Sequence, residues 1–354
     1  MADQEGGRRI GWGVIGACGI AKRRTIPEGI VPAKNARLVA VTDINREGAA
    51  EVAKQFGAVS VPDVKALLAH PEVEAVYVAT PNNLHKEQVI AAARAGKHVL
   101  CEKPLANTTA DIRAMIAACK KARVRLGVGF MMRFNVYHQA IKEMIRKKEL
   151  GKPVLVRGQM TCWYPPFKGA WRQVKAIGGG GSLVDMGSHV LDIMEQFFGK
   201  TRCVAARTYN RVHRYEVEDT CVALYEFASG VPGILDVSFG IPDEASEFVL
   251  EVYGSRGAIK GKYSLAQGPG GEFRICLLGK VGGYDAQQQV EEKGGFRPWT
   301  LETKNTYQSE IEAFSQAILD GRPAPVPGED GLWNHRVMEA TYKAAATGRT
   351  VTLR

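Results

Sequence analysis

The first 130 residues alternate short apolar runs with helical patterns, and this alternation constrains the fold more than any other feature of the sequence. The apolar runs are rich in β-branched residues and bounded by Gly, Pro or Asn, which is typical of buried strands. Strands that alternate with helices favour the α/β class and a doubly wound parallel sheet. We predict strands at residues 10–15, 38–42, 75–79, 98–101 and 125–130, and helices at 47–56, 64–69, 84–95 and 108–122, the last capped by Asn107, Thr108 or Thr109.

After residue 150 the pattern changes to strands that follow one another directly. Turn residues separate these strands, so we predict a mostly antiparallel sheet. With 354 residues the chain is long enough for two packed cores, and we predict two domains, residues 1–130 and residues 131–354. The predicted strands are 154–161, 203–210, 220–227, 233–239, 248–253 and 274–278, and the predicted helices are 135–149, 182–198, 307–319 and 332–346.

The excess of basic residues is confined to the first part of the chain. Residues 1–150 hold 24 Lys and Arg against 14 Asp and Glu, which accounts for the whole net charge of +10. These charges are scattered and are not interleaved with aromatic residues, so no nucleic-acid partner is expected. The N-terminus is polar and no apolar run reaches the length of a membrane span. The seven cysteines form no Cys-x-x-Cys pair, which argues against zinc and disulfide bonds and favours a cytoplasmic protein.

The first predicted strand leads into a glycine-containing loop, Gly16-Ala17-Cys18-Gly19-Ile20-Ala21. A dinucleotide site needs a tight turn, close approach of the backbone to the pyrophosphate and a helix N-terminus directed at it, hence the pattern G-x-G-x-x-G/A. Cys18 stands at the second glycine of that pattern, so an ordinary turn between strand and helix remains an alternative. In the dinucleotide interpretation the contacts come from Gly16, Cys18, Gly19, Ile20 and Ala21.

Asp43 ends the second predicted strand, at the usual distance from such a loop. A carboxylate there accepts a hydrogen bond from the ribose 2′-hydroxyl of NAD and repels the 2′-phosphate of NADP. A plain helix cap is the alternative role of this aspartate. Arg46 lies close enough in sequence to leave NADP possible, but Asp43 favours NAD as the cofactor.

Two further polar segments follow predicted strands, at the edge where parallel sheets bind ligands. Thr80 and Asn82 lie in the first segment, and His85 follows them either as a cofactor contact or as a structural residue. The second segment is Glu102-Lys103-Pro104, in which the proline disfavours helical backbone at Lys103 and so directs its ammonium toward a ligand. We assign Thr80, Asn82, His85, Glu102 and Lys103 to the cofactor edge. Lys103 is also assigned to a hydrogen bond with a substrate hydroxyl, a surface ion pair being the alternative.

Asp185 and His189 are four residues apart in the predicted helix at 182–198, so they share one helix face. An imidazole titrates near neutral pH and suits proton transfer from an alcohol, and a carboxylate beside it can orient it. A simple pair on a helix surface is the alternative. A zinc site would lack a third ligand at a usual spacing, so no metal is expected.

Aromatic and basic residues before the glycine run at 178–181 are the candidates for substrate binding. Tyr164 and Trp171 can stack on a sugar ring, as can Trp163, although packing is the more common role of aromatic side chains. Arg172 can pair with a carboxylate or with hydroxyls, and so can Arg133, which follows the last strand of the first domain. The two arginines together suit an acidic substrate.

These residues lie in motifs through which the chain resembles the Gfo/Idh/MocA family, named after glucose-fructose oxidoreductase, inositol dehydrogenase and rhizopine catabolism. The resemblance runs, in order, through GVIGACGIA, VAVTDIN, ATPNNLH, AGKHVLCEKPLA, GGGGSLVDMGSHVLD, VEDTCVALYEF, VYGSRGAIKG and ATGRTVTL. It implies an N-terminal Rossmann domain, and a C-terminal α/β domain whose large open sheet binds substrate and builds a homodimer or homotetramer. It also implies reversible hydride transfer between nicotinamide C4 and a carbinol carbon of a sugar, sugar derivative or cyclitol. His189 would be the base, Lys103 would stabilise alkoxide charge and Asp185 would fix the geometry.

Two other functions fit the same fold. A redox-neutral glycosidase would hold NAD tightly and oxidise its sugar only transiently, and a nucleotide-responsive regulator would bind the cofactor without turnover. The three residues Lys103, Asp185 and His189 favour an enzyme over a regulator, because a binding module has no chemical need for all three.

Overall fold

The computed structural model describes residues 7–283 and 295–353, and the chain divides into two compact units. The first unit takes the chain up to Phe134 together with Gly169–Gly180 and Lys304–Arg336. The second takes Asn135–Lys168, the described part of Gly181–Thr303 and the chain from Val337 onward. Each unit is therefore assembled from segments that are not contiguous in sequence.

The first unit contains a parallel sheet of six described strands. They are β1 Ile10–Ile15, β2 Ala36–Thr42, β3 Val59–Ser60, β4 Ala75–Val78, β5 His98–Cys101 and β6 Leu126–Val128. Their order is β3-β2-β1-β4-β5-β6, which confirms the predicted doubly wound Rossmann sheet. The adjacent residues Val14 and Ile15 of β1 belong to different apolar cores, so both faces of the sheet are covered.

Helices connect these strands much as the sequence predicts. They are α1 Arg46–Phe56, α2 Val64–Ala69, α3 Asn82–Arg94 and α4 Thr109–Ala122. Of the three candidate caps of α4, Thr108 is the one that serves, because its side chain accepts a hydrogen bond from the N–H of Asp111.

The sequence pattern does not predict the irregular helix at Ala17–Ile30, which follows the glycine loop. Pro27 lies inside it and Gly19 has a non-helical backbone, so it lacks the regular apolar spacing from which helices are recognised. Burial stabilises it instead, since Ile26 and Ile30 are both fully buried.

The second unit contains a sheet of nine described strands. They are β7 Pro153–Thr161, β8 Thr201–Tyr209, β9 Thr220–Phe227, β10 Pro232–Ser238, β11 Leu250–Gly254, β12 Gly257–Lys262, β13 Glu272–Leu277, β14 Arg297–Pro298 and β15 Val351–Thr352. Only β7 and β10 pair in parallel among these, so the prediction of a mostly antiparallel sheet is confirmed. The prediction misses β12, β14 and β15. Two of them are only two residues long, and β12 contains two glycines and forms between the partners β11 and β13.

One face of this second sheet is packed against a helix, and no described element covers the other, which we call the open face. The remaining helices are α5 Val136–Arg146, α6 Lys175–Gly178, α7 Ser188–Phe198, α8 Thr306–Leu319 and α9 Gly328–Thr347. Helix α7 lies so close to β7 that a Cβ on Gly158 would stand 2.4 Å from Cγ1 of Val190. On the open face, Val222 and Leu224 alternate with buried neighbours along β9 and are 43% and 57% exposed.

Helix α8 completes the core of the first unit. The indole N–H of Trp12, in β1, donates a buried hydrogen bond of 3.1 Å to the hydroxyl of Ser315, and the ring of Phe314 packs 5.6 Å from that of Trp12. Next to this helix, the N–H of Val128 in β6 donates to the carbonyl of Val326. Among the described residues, no helix is both long and apolar enough to cross a bilayer.

Candidate active site

The glycine loop turns sharply at Gly16, directly after β1. This residue has φ of +86°, and a Cβ there would stand 2.8 Å from the carbonyl carbon and oxygen of Ala79. Only glycine fits such a turn without displacing the backbone at the end of β4. At Gly19 a Cβ would meet nothing within 4 Å, so a ligand has room to approach the loop at that point.

A cleft of about 560 Å³ opens beside this loop, at the carboxyl ends of the first strands of the sheet. Its volume and its position suit a nucleotide cofactor. Five of the predicted cofactor residues line it, namely Gly16, Cys18, Gly19, Asp43 and Thr80. Arg46 and Trp171 line it as well.

Asp43 fixes the loop and keeps a carboxylate at the cleft. Its Oδ2 accepts a hydrogen bond of 2.9 Å from the N–H of Cys18, and its Oδ1 accepts one of 2.9 Å from the N–H of Asn45. Burial and the neighbouring Asp43 raise the pKa of the Cys18 thiol to about 11. The thiol is therefore neutral at physiological pH, and Cys18 adds no negative charge where a pyrophosphate would bind. The residues present fit a dinucleotide.

Asn82 and His85 are directed into the protein and do not line the cleft. The side-chain N–H of Asn82 donates to the carbonyl of Gly178 at 2.8 Å. His85 is fully buried, with its ring nitrogens 3.0 Å and 2.9 Å from the carbonyl oxygens of Pro104 and Thr80. Burial also lowers the pKa of His85. This geometry supports the structural role for His85, in which it ties together the turns that follow β4 and β5.

The remaining cofactor candidates of the loop lie beyond the lining residues. Ile20 and Ala21 belong to the irregular helix that leaves the cleft, and Ala21 is fully buried. They contribute to the start of that helix, whose N-terminal end faces the loop.

Glu102 is directed toward the interior of the first unit. Its carboxylate accepts hydrogen bonds from the hydroxyl of Tyr77 and, at 3.2 Å, from the N–H of Lys103. The hydroxyl of Thr25 donates in turn to that of Tyr77. Burial raises the pKa of Glu102. These contacts make Glu102 a support for the backbone of the turn that carries Lys103, and the peptide between Lys103 and Pro104 is cis.

Asp185 and His189 belong to the second unit and lie on one helix, as the sequence predicts. The helix starts with a wide turn at Leu183–Gly187, closed by a hydrogen bond from the N–H of Ser188 to the carbonyl of Leu183, and continues as α7. Asp185 is partly exposed and His189 is 8% exposed. Such π-type turns are frequent at functional sites.

The predicted substrate residues fall into separate places. Arg133 belongs to the first unit, where its guanidinium pairs with Asp330 at 2.6 Å, so its charge is already balanced. Trp171 lines the dinucleotide cleft, and the guanidinium carbon of Arg172 lies 4.2 Å from the centre of its indole ring. Trp171 is thus placed with the cofactor residues, although its sequence position suggested a substrate contact.

Tyr164 lies in an aromatic cluster of the second unit, just beyond the end of β7. Its ring packs 5.0 Å from that of Phe239, which follows β10, while neighbouring Trp163 packs 4.9 Å from His213 and is 44% exposed. The wide turn before α7 contacts the same end of β10, because a Cβ on Gly187 would lie 3.7 Å from Val237. The aromatic cluster and the helix of Asp185 and His189 therefore share one end of the sheet.

Sequence reasoning missed Glu218 and Tyr342, which hold the start of the helix that carries Asp185. Both belong to the second unit, and the hydroxyl of Tyr342 donates to the Glu218 carboxylate at 2.9 Å. The signal in the sequence was the adjacent pair Glu218 and Asp219 in the motif VEDTCVALYEF. A carboxylate buried beside a strand needs several hydrogen-bond donors, so such a pair indicates a hydrogen-bonded site.

Two family models match nearly the whole chain. The model described as oxidoreductase family, NAD-binding Rossmann fold, matches residues 10–130. The model described as oxidoreductase family, C-terminal alpha/beta domain, matches residues 142–353.

Similar proteins match the chain from end to end. It is 33% identical over 341 residues to 1,5-anhydro-D-fructose reductase of Ensifer adhaerens, covering 96% of this chain and 97% of that one. Its structure resembles aldose-aldose oxidoreductase from Caulobacter crescentus complexed with glycerol, with a TM-score of 0.86, 31% identity and coverage of 98% and 100%. It also resembles levoglucosan dehydrogenase in complex with NADH and levoglucosan, with a TM-score of 0.83, 26% identity and coverage of 98% and 99%.

Proposed function

The chain belongs to the Gfo/Idh/MocA family of oxidoreductases, and on that premise we propose that it uses Lys103, Asp185 and His189 to interconvert a carbinol and a carbonyl group. It is an NAD(P)-dependent oxidoreductase that acts on CH–OH groups of sugars or cyclitols. The observation that carries the assignment is the cleft beside Gly16, where a glycine-only turn and the Asp43 carboxylate suit a dinucleotide.

Each proposed catalytic residue has one chemical task. In the oxidation, His189 takes the proton of the substrate hydroxyl while the hydride leaves the same carbon. The Lys103 ammonium stabilises the alkoxide charge that develops on the oxygen, and Asp185 orients the imidazole. A nicotinamide cofactor held beside Gly16, Cys18 and Asp43 would supply the hydride acceptor, or the hydride donor in the reverse direction. Neither the glycosidase nor the regulator is supported by the similar proteins, whose names are those of reductases, dehydrogenases and oxidoreductases.

The aromatic cluster around Tyr164 supports a sugar ring as substrate. Trp163 is exposed enough to stack on the apolar face of a pyranose, and the cluster shares its end of the sheet with the helix of His189. Arg133 was one of the two arginines that suggested an acidic substrate. Its guanidinium is paired with Asp330, so it no longer supports that suggestion. We therefore propose a neutral sugar or cyclitol.

A substrate panel tests the proposed reaction. 1,5-Anhydro-D-fructose is offered with NADH and NADPH, and D-xylose, levoglucosan and myo-inositol are offered with NAD and NADP, while the absorbance of the reduced nicotinamide is followed. Turnover of at least one sugar is expected. Hydrolysis of a glycoside without added cofactor, together with NAD that survives purification, would point to the glycosidase instead.

Replacing Asp43 is expected to relax the cofactor preference. Asp43→Ala removes the charge that repels a 2′-phosphate while Arg46 stays at the cleft, so the ratio of kcat/KM for NADP to that for NAD rises by about tenfold or more, as expected for a lost charge contact. Asp43→Asn removes the charge but keeps one acceptor oxygen, which can serve the N–H of either Cys18 or Asn45, so it disturbs the loop less than Asp43→Ala does. An unchanged ratio in both variants would contradict the ribose contact.

We also propose that the open face of the second sheet is the interface of a homodimer. A shallow cavity of about 760 Å³ lies on this face, and Val154, Val222 and Leu224 are exposed there. Exposed apolar side chains grouped on one sheet face suit an interaction surface, and Arg157, Asp236 and Glu251 line the same cavity.

Leu224→Glu is expected to convert the oligomer to a species of the monomer's mass, because a buried, unpaired carboxylate is costly at an interface. Light scattering after size-exclusion chromatography measures this. Val59→Glu, at an exposed residue of the first unit, is the control and keeps the wild-type mass. A wild-type monomer, or an oligomer that tolerates Leu224→Glu, would exclude this face.

A further inference from the structure

A single buried carboxylate caps the helix that carries Asp185 and His189. Glu218, just before β9, is 8% exposed. Its Oε1 accepts hydrogen bonds from the N–H groups of Gly181 at 3.2 Å and Leu183 at 3.0 Å, and its Oε2 accepts from Gly181 at 3.1 Å. These are N–H groups at the start of the helix, which have no acceptor within the helix itself. The side-chain oxygens of Glu218 therefore fix the first turn by accepting hydrogen bonds from its N–H groups.

The backbone of Glu218 takes part in the same contact. Its carbonyl accepts a hydrogen bond of 3.2 Å from the N–H of Ser182, so three consecutive N–H groups bind to one residue. A Cβ on Gly181 would stand only 1.9 Å from that carbonyl oxygen. Glycine at position 181 is thus required by the close approach of Glu218, which gives a physical reason for the last glycine of the run.

The turn that Glu218 holds leads into the wide turn of the helix. Between Leu183 and Gly187 the helix is wide, with a hydrogen bond from the N–H of Ser188 to the carbonyl of Leu183. Wide turns are rare and are less stable than a regular α-turn, so external contacts must maintain them. Asp185 lies inside this turn and His189 directly follows it, so their relative orientation depends on the turn.

We propose that Glu218 is a positioning residue, which sets the orientation of Asp185 and His189 through the wide turn, with Tyr342 as its own support. The proposal rests on the catalytic roles proposed above for Asp185 and His189. Tyr342 matters because its hydroxyl donates to Oε1 of Glu218 at 2.9 Å and so fixes the carboxylate.

Glu218→Ala is expected to lower kcat by about 10- to 100-fold, the usual cost of a small misplacement of catalytic groups, while the Kd for NADH is unchanged. The substrate KM changes by less than kcat. Glu218→Gln keeps one oxygen for Leu183 and Tyr342 and loses less than the alanine variant, and Tyr342→Phe behaves similarly. These two milder variants keep the test valid if Glu218→Ala fails to fold.

Glu195→Gln is the matched control. Glu195 accepts hydrogen bonds from the N–H and hydroxyl of Thr201 at 2.8 Å and 2.7 Å, near the other end of α7. The control is expected to lower the melting temperature but to keep kcat. A loss of kcat equal to that of Glu218→Gln would reduce the role of Glu218 to helix stability.

The double variant Glu218→Ala/His189→Ala separates this inference from the proposed function. If Glu218 acts through the helix of His189, the double variant has the kcat of His189→Ala alone, whereas additive losses overturn the inference. Full activity of His189→Ala would overturn the proposed function instead. Amide hydrogen exchange of residues 181–187 needs no substrate: faster exchange in Glu218→Ala is expected, and unchanged exchange overturns the cap.

Discussion

Lys103→Ala is expected to lower kcat by about 10²- to 10⁴-fold, the range found for a positioned acid, base or charge-stabilising group, with little change in the Kd for NADH. Lys103 follows β5 in a turn whose backbone is fixed by the Glu102 carboxylate and by His85, so the residue is positioned before substrate binds. It is not among the residues that line the cleft beside Gly16, so we expect its loss to change cofactor affinity little. Initial rates give kcat, and a fluorescence titration gives the Kd for NADH.

Lys97→Ala is the matched control for this variant, because Lys97 precedes the same strand. Its ammonium donates to the carbonyls of Val73 at 2.7 Å and His70 at 3.3 Å, so its loss lowers stability and leaves kcat intact. Lys103→Arg keeps the charge with a different donor geometry and is expected to be intermediate. Parallel losses of kcat and NADH affinity in Lys103→Ala would assign the lysine to cofactor binding.

His189→Ala is expected to cost a similar factor, about 10²- to 10⁴-fold in kcat, because the proton of the substrate hydroxyl loses its acceptor. The imidazole is 8% exposed, so its removal leaves a cavity in the second unit that free imidazole can fill. Added imidazole should therefore restore part of the rate. The measurement is kcat as a function of imidazole concentration at fixed pH.

His138→Ala is the comparison for His189, since His138 is 2% exposed and lies in the same unit on another helix. It is expected to lower the melting temperature with no imidazole-dependent gain in rate. If imidazole rescued both variants, or neither, His189 would not be the base.

Most of the Rossmann unit was predictable because its signals are local. Each central strand is an uninterrupted apolar run, and the carboxyl ends of parallel strands share one edge, so Gly16, Asp43 and Thr80 could be grouped from sequence alone. The cleft brings together these three residues. The helix at Ala17–Ile30 was missed because packing, and not periodicity, stabilises it.

The rest of the site depends on contacts between residues far apart in sequence. Asn82 is turned away from the cleft by the carbonyl of Gly178, and Trp171 is placed at the cleft because Gly169–Gly180 belongs to the first unit. Glu218 is 37 residues from the N–H of Gly181 that it caps. No spacing rule or propensity links residues at such distances, so neither the direction of Asn82 nor the role of Glu218 could be predicted.

Each unit is built from several separate segments of the chain, so neither unit can be transferred to another protein as one continuous piece. Residues 1–130 cut out at the family boundary would lack α8, and with it the ring of Phe314 and the acceptor for the Trp12 indole. Such a fragment would expose Trp12 and the neighbouring part of that core to water, while Ile26, Ile30 and Val52 would still cover the rest. A chimaera that transplants the whole first unit into another protein would therefore have to carry three separate stretches of sequence.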